Sequence, residues 1–550
     1  MKRSAKITLW VVGVLVGTMA IVHLSADIIV SRIVQNKVHE ALIDIPDVDV
    51  IVGDIYLDVL SGSVIVKDIT FCTHSLTMED PDTERRAPGL AFHLPTLAVL
   101  NVGYLELLRD HELKITKVSL DDPQLILYID EKHPEAILPT LPKDTTLEKA
   151  AIWLTELELK KVEINDFVAR IHSTTSPLQL AIDSLSTTWR DIEYSFEDST
   201  FSYNDSVYAF TLNSLKAQLP DGLFEMEVHD IHHSDQGSLS VGYTHLINTV
   251  SPSQLADIRK EQSAWIDMEL SSVTTSPFNP IRKALAQDYT LDAIQVDAKR
   301  LHLDVDVRYQ PVRHYGTPQD FLMSLPVRFN IKQVSALARK VDIDFSPTLD
   351  NHSSMHLTNA RAQMSNITNR RGAIWYNTAK VPFGGKGSAE ASYHMYMDKH
   401  STFELALKGK DIETEELNSF IRPLVSITTK CHINQLDIAY KGDKQKATGE
   451  FCMQYEGMEI HVHKEDKIPY EVITNNAELF EGIANSLIPK SNPGGLDAHP
   501  RRYYIQWKRD EMKPYPLYLF GPCIDGIKMT MLPGLYVHKQ VDPNKAKKTK

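Results

Sequence analysis

The run HDIHH, His229 to His233, invites a metal-site reading, because neutral imidazole is a common ligand for zinc and copper. On a strand, successive side chains point to opposite faces. His229, Ile231 and His233 would then share one face and His232 the other, so three ligands do not converge. His461 and His463 in HVH do share a face, but among 22 histidines such near neighbours are expected on a polar surface. FGGKGS, Phe383 to Ser388, resembles a phosphate cradle. It lacks the full G-x-x-x-x-G-K-[ST] spacing and a following helix, and it reads as a turn. The sequence contains no G-x-S-x-G and no H-E-x-x-H, and no carboxylate pair has a marked context. These residues predict no catalytic site, cofactor or metal, and an anchored hydrolase is the weakest functional reading.

Four cysteines, Cys72, Cys431, Cys452 and Cys523, are too few and too scattered for a disulfide framework or a zinc site. Cys431 and Cys452 lie in two arms of one expected hairpin. In any register matching Leu436, Ile438 and Tyr440 to Phe451, Met453 and Tyr455, both cysteines fall on the opposite face. A bridge would need the turn at Lys441-Gly442, and free thiols are the simpler expectation. YYIQWKRDEMKPYPLYLF, Tyr503 to Phe520, mixes aromatics and prolines with Lys508, Arg509 and Lys513. Two readings stay open for it: a membrane or glycan interface, and a terminal sheet edge covered by aromatics.

The elements that would position these residues are strands. LHLDVDVRY alternates Leu301, Leu303, Val305, Val307 and Tyr309 with His302, Asp304, Asp306 and Arg308, giving one apolar and one charged face. If the apolar face lines an open groove, Leu301, Leu303, Val305 and Val307 are on its concave side and His302, Asp304, Asp306 and Arg308 lie outside. The stretch from Gly53 to Phe71 is the clearest hairpin. Ser61-Gly62 would form its turn, placing Leu60 opposite Ser63, Val59 opposite Val64 and Leu57 opposite Val66. Further strands start at Leu113, Pro123, Glu156, Ala264, Leu325, Lys340, Ser401, Ile433 and Met458, about twenty in all, joined mostly by short turns. Helices are few and amphipathic: a capping box at Ser251 opens one, and others start near Asn279, Thr414 and Asn476.

The chain has 550 residues, 43% hydrophobic and 24% charged, with 58 basic against 72 acidic side chains and hence a net charge of −14. That acidic balance argues against nucleic acid as a partner, since phosphate neutralisation needs a basic surface. From Ile7 to Ala26 no residue carries a formal charge, and Lys2, Arg3 and Lys6 precede the stretch. Twenty helical residues rise roughly 30 Å, the thickness of a bilayer's hydrocarbon core. The basic flank leaves the N-terminus cytoplasmic and the bulk of the chain outside. A cleaved signal peptide has the same charge order, but no A-x-A site follows, which favours a retained anchor. The resulting plan is a cytoplasmic 1–6, a transmembrane helix 7–30, a linker 31–47, β regions at 48–150, 151–400 and 401–540, and a basic tail 541–550.

Strands greasy on one side either bury those sides against each other in closed sandwich cores or line one long groove, and periodicity alone leaves both open. An uncleaved helix, then VIVGDIYLDVLSGSVIVKDITF, then LKITKVSLDDPQLILYID resembles the start of AsmA-like envelope proteins, the superfamily of TamB and YdbH. Ile115, Val118, Leu120, Pro123, Leu125 and Leu127 carry the I-x-x-V-x-L-x-x-P-x-L-x-L spacing. LDIAYKGDKQKATGEFCMQYEGMEIHV and GIANSLIPKSNPGG are similar to members of that family from Bacteroidetes-type bacteria. The two ends cover about half the chain, and 550 residues is short for bridge-forming members.

The resemblance implies a bacterial inner-membrane, single-pass periplasmic protein, mainly β, with a long antiparallel sheet curled into an elongated groove that binds or moves phospholipid. The groove lining expected on this basis is Leu57, Val59, Val64, Val66, Leu301, Leu303, Val305, Val307, Val327, Phe329, Ile331, Leu436, Ile438 and Tyr440. The alternative is a non-enzymatic structural or assembly factor of the envelope, contacting other proteins through exposed sheet edges.

Overall fold

The computed structural model describes residues 48–541, apart from 74–75, 77, 79–86, 131–154, 196–199, 203–208, 235–236, 279–287, 310–314, 326, 347–351, 384–385, 426, 464–481, 483–484, 496–498, 514 and 532. The expected anchor, the linker, most of the basic tail and the expected helix at Asn279 lie outside the described residues. Among the described residues, no helix is long and apolar enough to cross a membrane. The chain is mainly β and divides into two units, Met1–Val241 and Gly242–Lys550.

The first unit contains β1 (Val48–Ile51), β2 (Ile55–Asp58), β3 (Ser63–Thr73), β4 (Gly89–Val102), the short helix α1 (Tyr104–Asp110), β5 (Glu112–Asp121) and β6 (Gln124–Ile129). It continues with β7 (Glu156–Ser173), β8 (Gln179–Ser195), β9 (Thr200–Ser202), β10 (Ala209–Gln218), β11 (Phe224–His233) and β12 (Leu239–Val241). Most pairings are antiparallel, but β5 and β6 each pair with β7 in parallel. A parallel pair needs a long return connection, and the segment between Ile129 and Glu156 supplies it. The wholly antiparallel sheet expected from short turns is therefore corrected to a mixed one.

The first hairpin forms with a different register from the expected one. Asp58 pairs with Ser63 and Leu57 with Val64, so Val59 and Leu60 lie in a four-residue turn. The Asp58 carboxylate accepts the backbone N–H groups of Leu60 and Ser61, both at 3.1 Å, and Gly62 takes a φ of 66°. An aspartate that caps its own turn outcompetes the tighter two-residue loop. The slip is two residues, so Leu57 keeps its face.

The second unit runs β13 (Thr244–Asn248), α2 (Pro252–Arg259), β14 (Ser263–Thr275), β15 (Asp288–Asp306), α3 (Pro318–Ser324), β16 (Arg328–Ser346), β17 (Ser353–Thr368), β18 (Ile374–Phe383), β19 (Gly387–Tyr396) and β20 (Phe403–Glu413). Then come α4 (Asn418–Val425), β21 (Ile427–Gly442), β22 (Lys446–Val462), β23 (Ser491–Asn492), β24 (Arg502–Lys508) and α5 (Tyr515–Met531). Here β15 and β16 are parallel, returning through α3, and the other pairings are antiparallel. The capping box at Ser251 forms as expected, with Gln254 closing it. At FGGKGS, Phe383 ending β18 pairs with Gly387 opening β19, so the segment joins two antiparallel strands.

One device recurs along the first unit. Asp68, Asp122, Asp166, Ser184 and Asp230 all hold left-handed backbone, with φ between 52 and 56°. Short polar side chains tolerate that conformation better than others. These residues sit at one level across neighbouring strands: the Ser184 hydroxyl donates to Asp166 at 2.6 Å, and Asp183 and Leu185 on β8 pair with Ser214 and Leu212 on β10. At each such residue the strand switches the parity of its apolar positions, as a bulge does. On β7 the apolar set is Leu157 and Leu159, then Val162 and Ile164, then Phe167 and Ala169.

Candidate functional site

Cross-strand registers join these apolar positions into rows. Leu57 on β2 pairs with Val64, Val64 with Val99, Val99 with Val118, Val118 with Val162, and Val162 with Trp189. One apolar row therefore crosses β2, β3, β4, β5, β7 and β8 without a polar member. The next row, Ile55–Val66–Leu97–Leu120–Ile164, runs beside it. Beyond the left-handed residues a further row links Phe71, Phe92, Leu125, Ala169, Ile182, Leu215 and Val228. Val64, Val99, Val118, Val162 and Trp189 are all only half-buried. A closed sandwich core would hide such residues almost fully.

The second unit repeats the arrangement on β14 to β17. Ile266 pairs with Leu303, Leu303 with Ile343 and Ile343 with Met355, while Met268, Leu301, Val341 and Leu357 form the neighbouring row. Val305 pairs with Phe345, Ile331 lies between Leu291 and Ile367, and Phe329 pairs with Tyr289. Leu303 is 36% exposed and Val327, just before β16, is 43% exposed. Val307 follows β15, its N–H donating to the Ser346 carbonyl at 3.1 Å.

The opposite face of the same strands differs from its expected exposure. Asp304 and Asp306 are 8% and 2% exposed, so the charged face of LHLDVDVRY is the better covered one. The reason is a ladder of compensating charge. The Arg300 guanidinium donates to Asp267 at 3.0 Å and to Asp342 at 3.4 Å, and it lies 3.1 Å from the His302 ring. His302 reaches Asp344 at 2.6 Å, and His356 reaches Asp342 at 2.7 Å. Arg308 pairs with Asp306 at 2.7 Å and donates to the Ser253 carbonyl on α2 at 3.0 Å. Trp265 donates to the Val250 carbonyl at 2.7 Å. Buried charges persist when paired, and here each strand supplies partners to the next.

Burial pushes the Asp304 carboxyl above the usual carboxylate range; a hydrogen bond from Ser346 opposes this, and Asp344 and Asp306 add to it. Asp342 goes the other way. Burial alone would raise it, but His356, Lys340 and Arg300 together hold it below the usual range.

His245, Asp267 and Glu269 bring three ligand atoms within 4.8 Å of one another. Asp267 already accepts from Arg300 and pairs with His245 at 2.9 Å, and Glu269 pairs with Lys299 at 2.7 Å. Each carboxylate is thus neutralised from within, and the donor set is that of an ion-pair lattice. In HDIHH, Asp230 switches the strand parity, so His229 falls on the polar face with His232. His233 falls instead among the apolar residues, stacked on Phe210 at 5.5 Å and 2% exposed. His463 hydrogen-bonds Thr428 at 3.0 Å, and His461 pairs with Thr428 in register.

The C-terminal strands carry a closed core. Ile438 and Tyr440, each 3% exposed, pack with Phe403, Phe451, Tyr455 and Ile505, and Leu436 packs against them. Helix α5 closes this core, with Tyr440 donating to the Leu519 carbonyl and Tyr518 to the Asp443 carbonyl at 3.0 Å. Burial pushes the Tyr455 hydroxyl up to about 12 and the Cys431 thiol up to about 11. All four cysteines are free. The expected shared face for Cys431 and Cys452 is corrected by register shifts between Lys430 and His432 and between Ile433 and Gln435. These put Cys431 in the core beside Ile433, while Cys452 pairs with Asp437.

No family model, curated protein or solved structure matches this chain.

Proposed function

We propose that the protein is a non-enzymatic carrier of phospholipid acyl chains, in the manner of the AsmA-like envelope proteins its sequence resembles. On this reading Ile7 to Ala26 anchor it in a bacterial inner membrane and the β units work in the periplasm. The observation that carries it is the row Leu57–Val64–Val99–Val118–Val162–Trp189, apolar across six strands and only half-buried. Contiguous apolar surface of this kind marks a binding face. The row from Ile266 to Met355 in the second unit supports the same reading.

Apolar burial is worth about 0.8 kcal/mol per CH₂, so a sixteen-carbon chain has on the order of 10 kcal/mol available on such a face. A bilayer offers the same chain an equally dry place. Net affinity is then small and exchange easy, which suits a conduit.

The test is photo-crosslinking with mass spectrometry of bound lipid. Full-length protein carrying a photo-reactive residue at Leu303 or at Val118 should crosslink phospholipid, while the same residue at Thr358, exposed on the charged face, should not. Equal labelling at the three positions, or no lipid at all, would leave the envelope-scaffold reading in front.

A further inference from the structure

We propose that α5 docks the C-terminal unit onto a bilayer surface bearing anionic headgroups. The inward face of this helix is fixed by two glycines. A Cβ at Gly521 would lie 2.2 Å from the Trp507 ring, and one at Gly526 would lie 2.2 Å from Phe451. Only hydrogen at these positions lets the helix lie this close to the sheet, with Tyr515, Tyr518 and Met529 turned into the core. That rotation leaves no choice for the other side. Leu517, Phe520, Ile524 and Ile527 point outward, 36%, 59%, 50% and 39% exposed. Their spacing of three, four and three residues is that of a single stripe along a helix, about 15 Å long at 1.5 Å per residue. An outward helix face on a protein surface is ordinarily polar.

Charge selects the occupant. Residues 501–550 hold 11 lysines and arginines against 4 aspartates and glutamates, so 11 − 4 = +7. The remaining 500 residues hold 58 − 11 = 47 against 72 − 4 = 68, hence −21. Lys528 is exposed on the last turn of α5, and Lys545, Lys547, Lys548 and Lys550 follow in the chain. An apolar stripe of large side chains with the exposed Lys528 at its end, in a segment of net positive charge, fits the boundary between acyl chains and anionic headgroups. A stripe of four side chains is also far short of the roughly 800 Å² per partner that a stable protein interface buries. The inference is independent of the acyl-carrier reading, because docking through α5 requires no lipid on the β rows.

The experiment places an environment-sensitive fluorescent amino acid at Phe520, or as control at Gln506 on the far face of β24, in the full-length protein. Vesicles of phosphatidylcholine with phosphatidylglycerol should blue-shift the emission at Phe520, and brominated acyl chains should quench it, with no response at Gln506. Replacing Ile524 and Ile527 together by aspartate should weaken this response at least about tenfold. Lys528→Gln should weaken it about fivefold, the equivalent of about 1 kcal/mol for one basic residue near an anionic surface. These side chains lie outside the core, so the melting curves should not move. No shift at Phe520, or a shift that survives the double aspartate variant, overturns the proposal. So does a blue shift in vesicle-free buffer that grows with protein concentration, which would assign the stripe to a second copy of the chain. An equal response to phosphatidylcholine alone overturns the anionic part of it.

Discussion

Asp304 on β15 and Asp344 on β16 are register partners across a parallel pair, two carboxylates side by side on a covered face. Like charges directly opposite destabilise a sheet, and here the cost is limited by His302 on Asp344 and Ser346 on Asp304. The arrangement makes the stability of this unit depend on pH in a definite sense.

Asp304 has its folded value raised by burial, so between the unfolded and folded values the native state binds more protons. Stability there falls as pH rises and is regained as pH falls through the folded value. Asp304→Asn should therefore raise the melting temperature at neutral pH and remove that part of the slope. Asp183 has the opposite sign: a 2.6 Å hydrogen bond from Arg170 holds it below the usual range. Its contribution is present above the unfolded carboxylate value and is lost as pH falls through the lower folded value. Asp183→Asn should thus lower stability at neutral pH and change little under strongly acidic conditions. Melting curves over pH for both variants check the pair, and equal signs would refute the assignment.

Arg300 joins Asp267, His302 and Asp342 at once. Arg300→Met keeps the stem but leaves two carboxylates short of a donor. Hydrogen bonds to charged groups contribute about 1.5–3 kcal/mol each, and partial exposure reduces this, so a total loss of about 2–3 kcal/mol is expected. Urea unfolding measures it, and a neutral outcome would mean the ladder is not held through Arg300.

Leu303 and Ile438 test open against closed apolar surface. Leu303→Asp meets solvent on a partly exposed face and should leave the melting temperature nearly unchanged. Ile438→Asp places a charge in the core under α5 and should cost several kcal/mol or abolish folding. A collapse with Leu303→Asp would show that its face is a closed core.

Asp166 holds a φ of 54° on β7 and accepts from the Ser184 hydroxyl. Asp166→Val should cost at least about 1–2 kcal/mol, the strain of left-handed backbone for an ordinary side chain. Asp166→Gly loses the hydrogen bond without the strain and should cost less. If the two variants unfold at the same urea concentration, strain is not what the aspartate relieves.

The sequence by itself determined the strand-dominated class, the capped helix at Ser251, the connection at FGGKGS and the amphipathic character of each strand. These are local properties: a period, a cap, a glycine-rich break. Even the apolar sets were legible, as in Leu157, Leu159, Val162, Ile164, Phe167 and Ala169, where the step alternates between two and three. A strict two-residue period misread that pattern at HDIHH, because a single aspartate in left-handed backbone changes which histidine faces the apolar side. Helix α5 was hidden for a related reason. Pro516, Gly521, Pro522 and Gly526 are poor helix formers, and only packing against Trp507 and Phe451 makes the glycines favourable.

What only the tertiary structure decided is which face of each strand is covered. Leu303 and Asp304 are neighbours, and hydropathy alone assigns the leucine inside and the aspartate outside. The structure does the reverse, because Asp304 accepts from Ser346 on β16, and Arg300 and His302 on its own strand reach Asp267 on β14 and Asp342 and Asp344 on β16, while Leu303 meets only its row. Register sets those partners, register depends on residues about forty positions away in the chain, and no local window of the sequence contains them both.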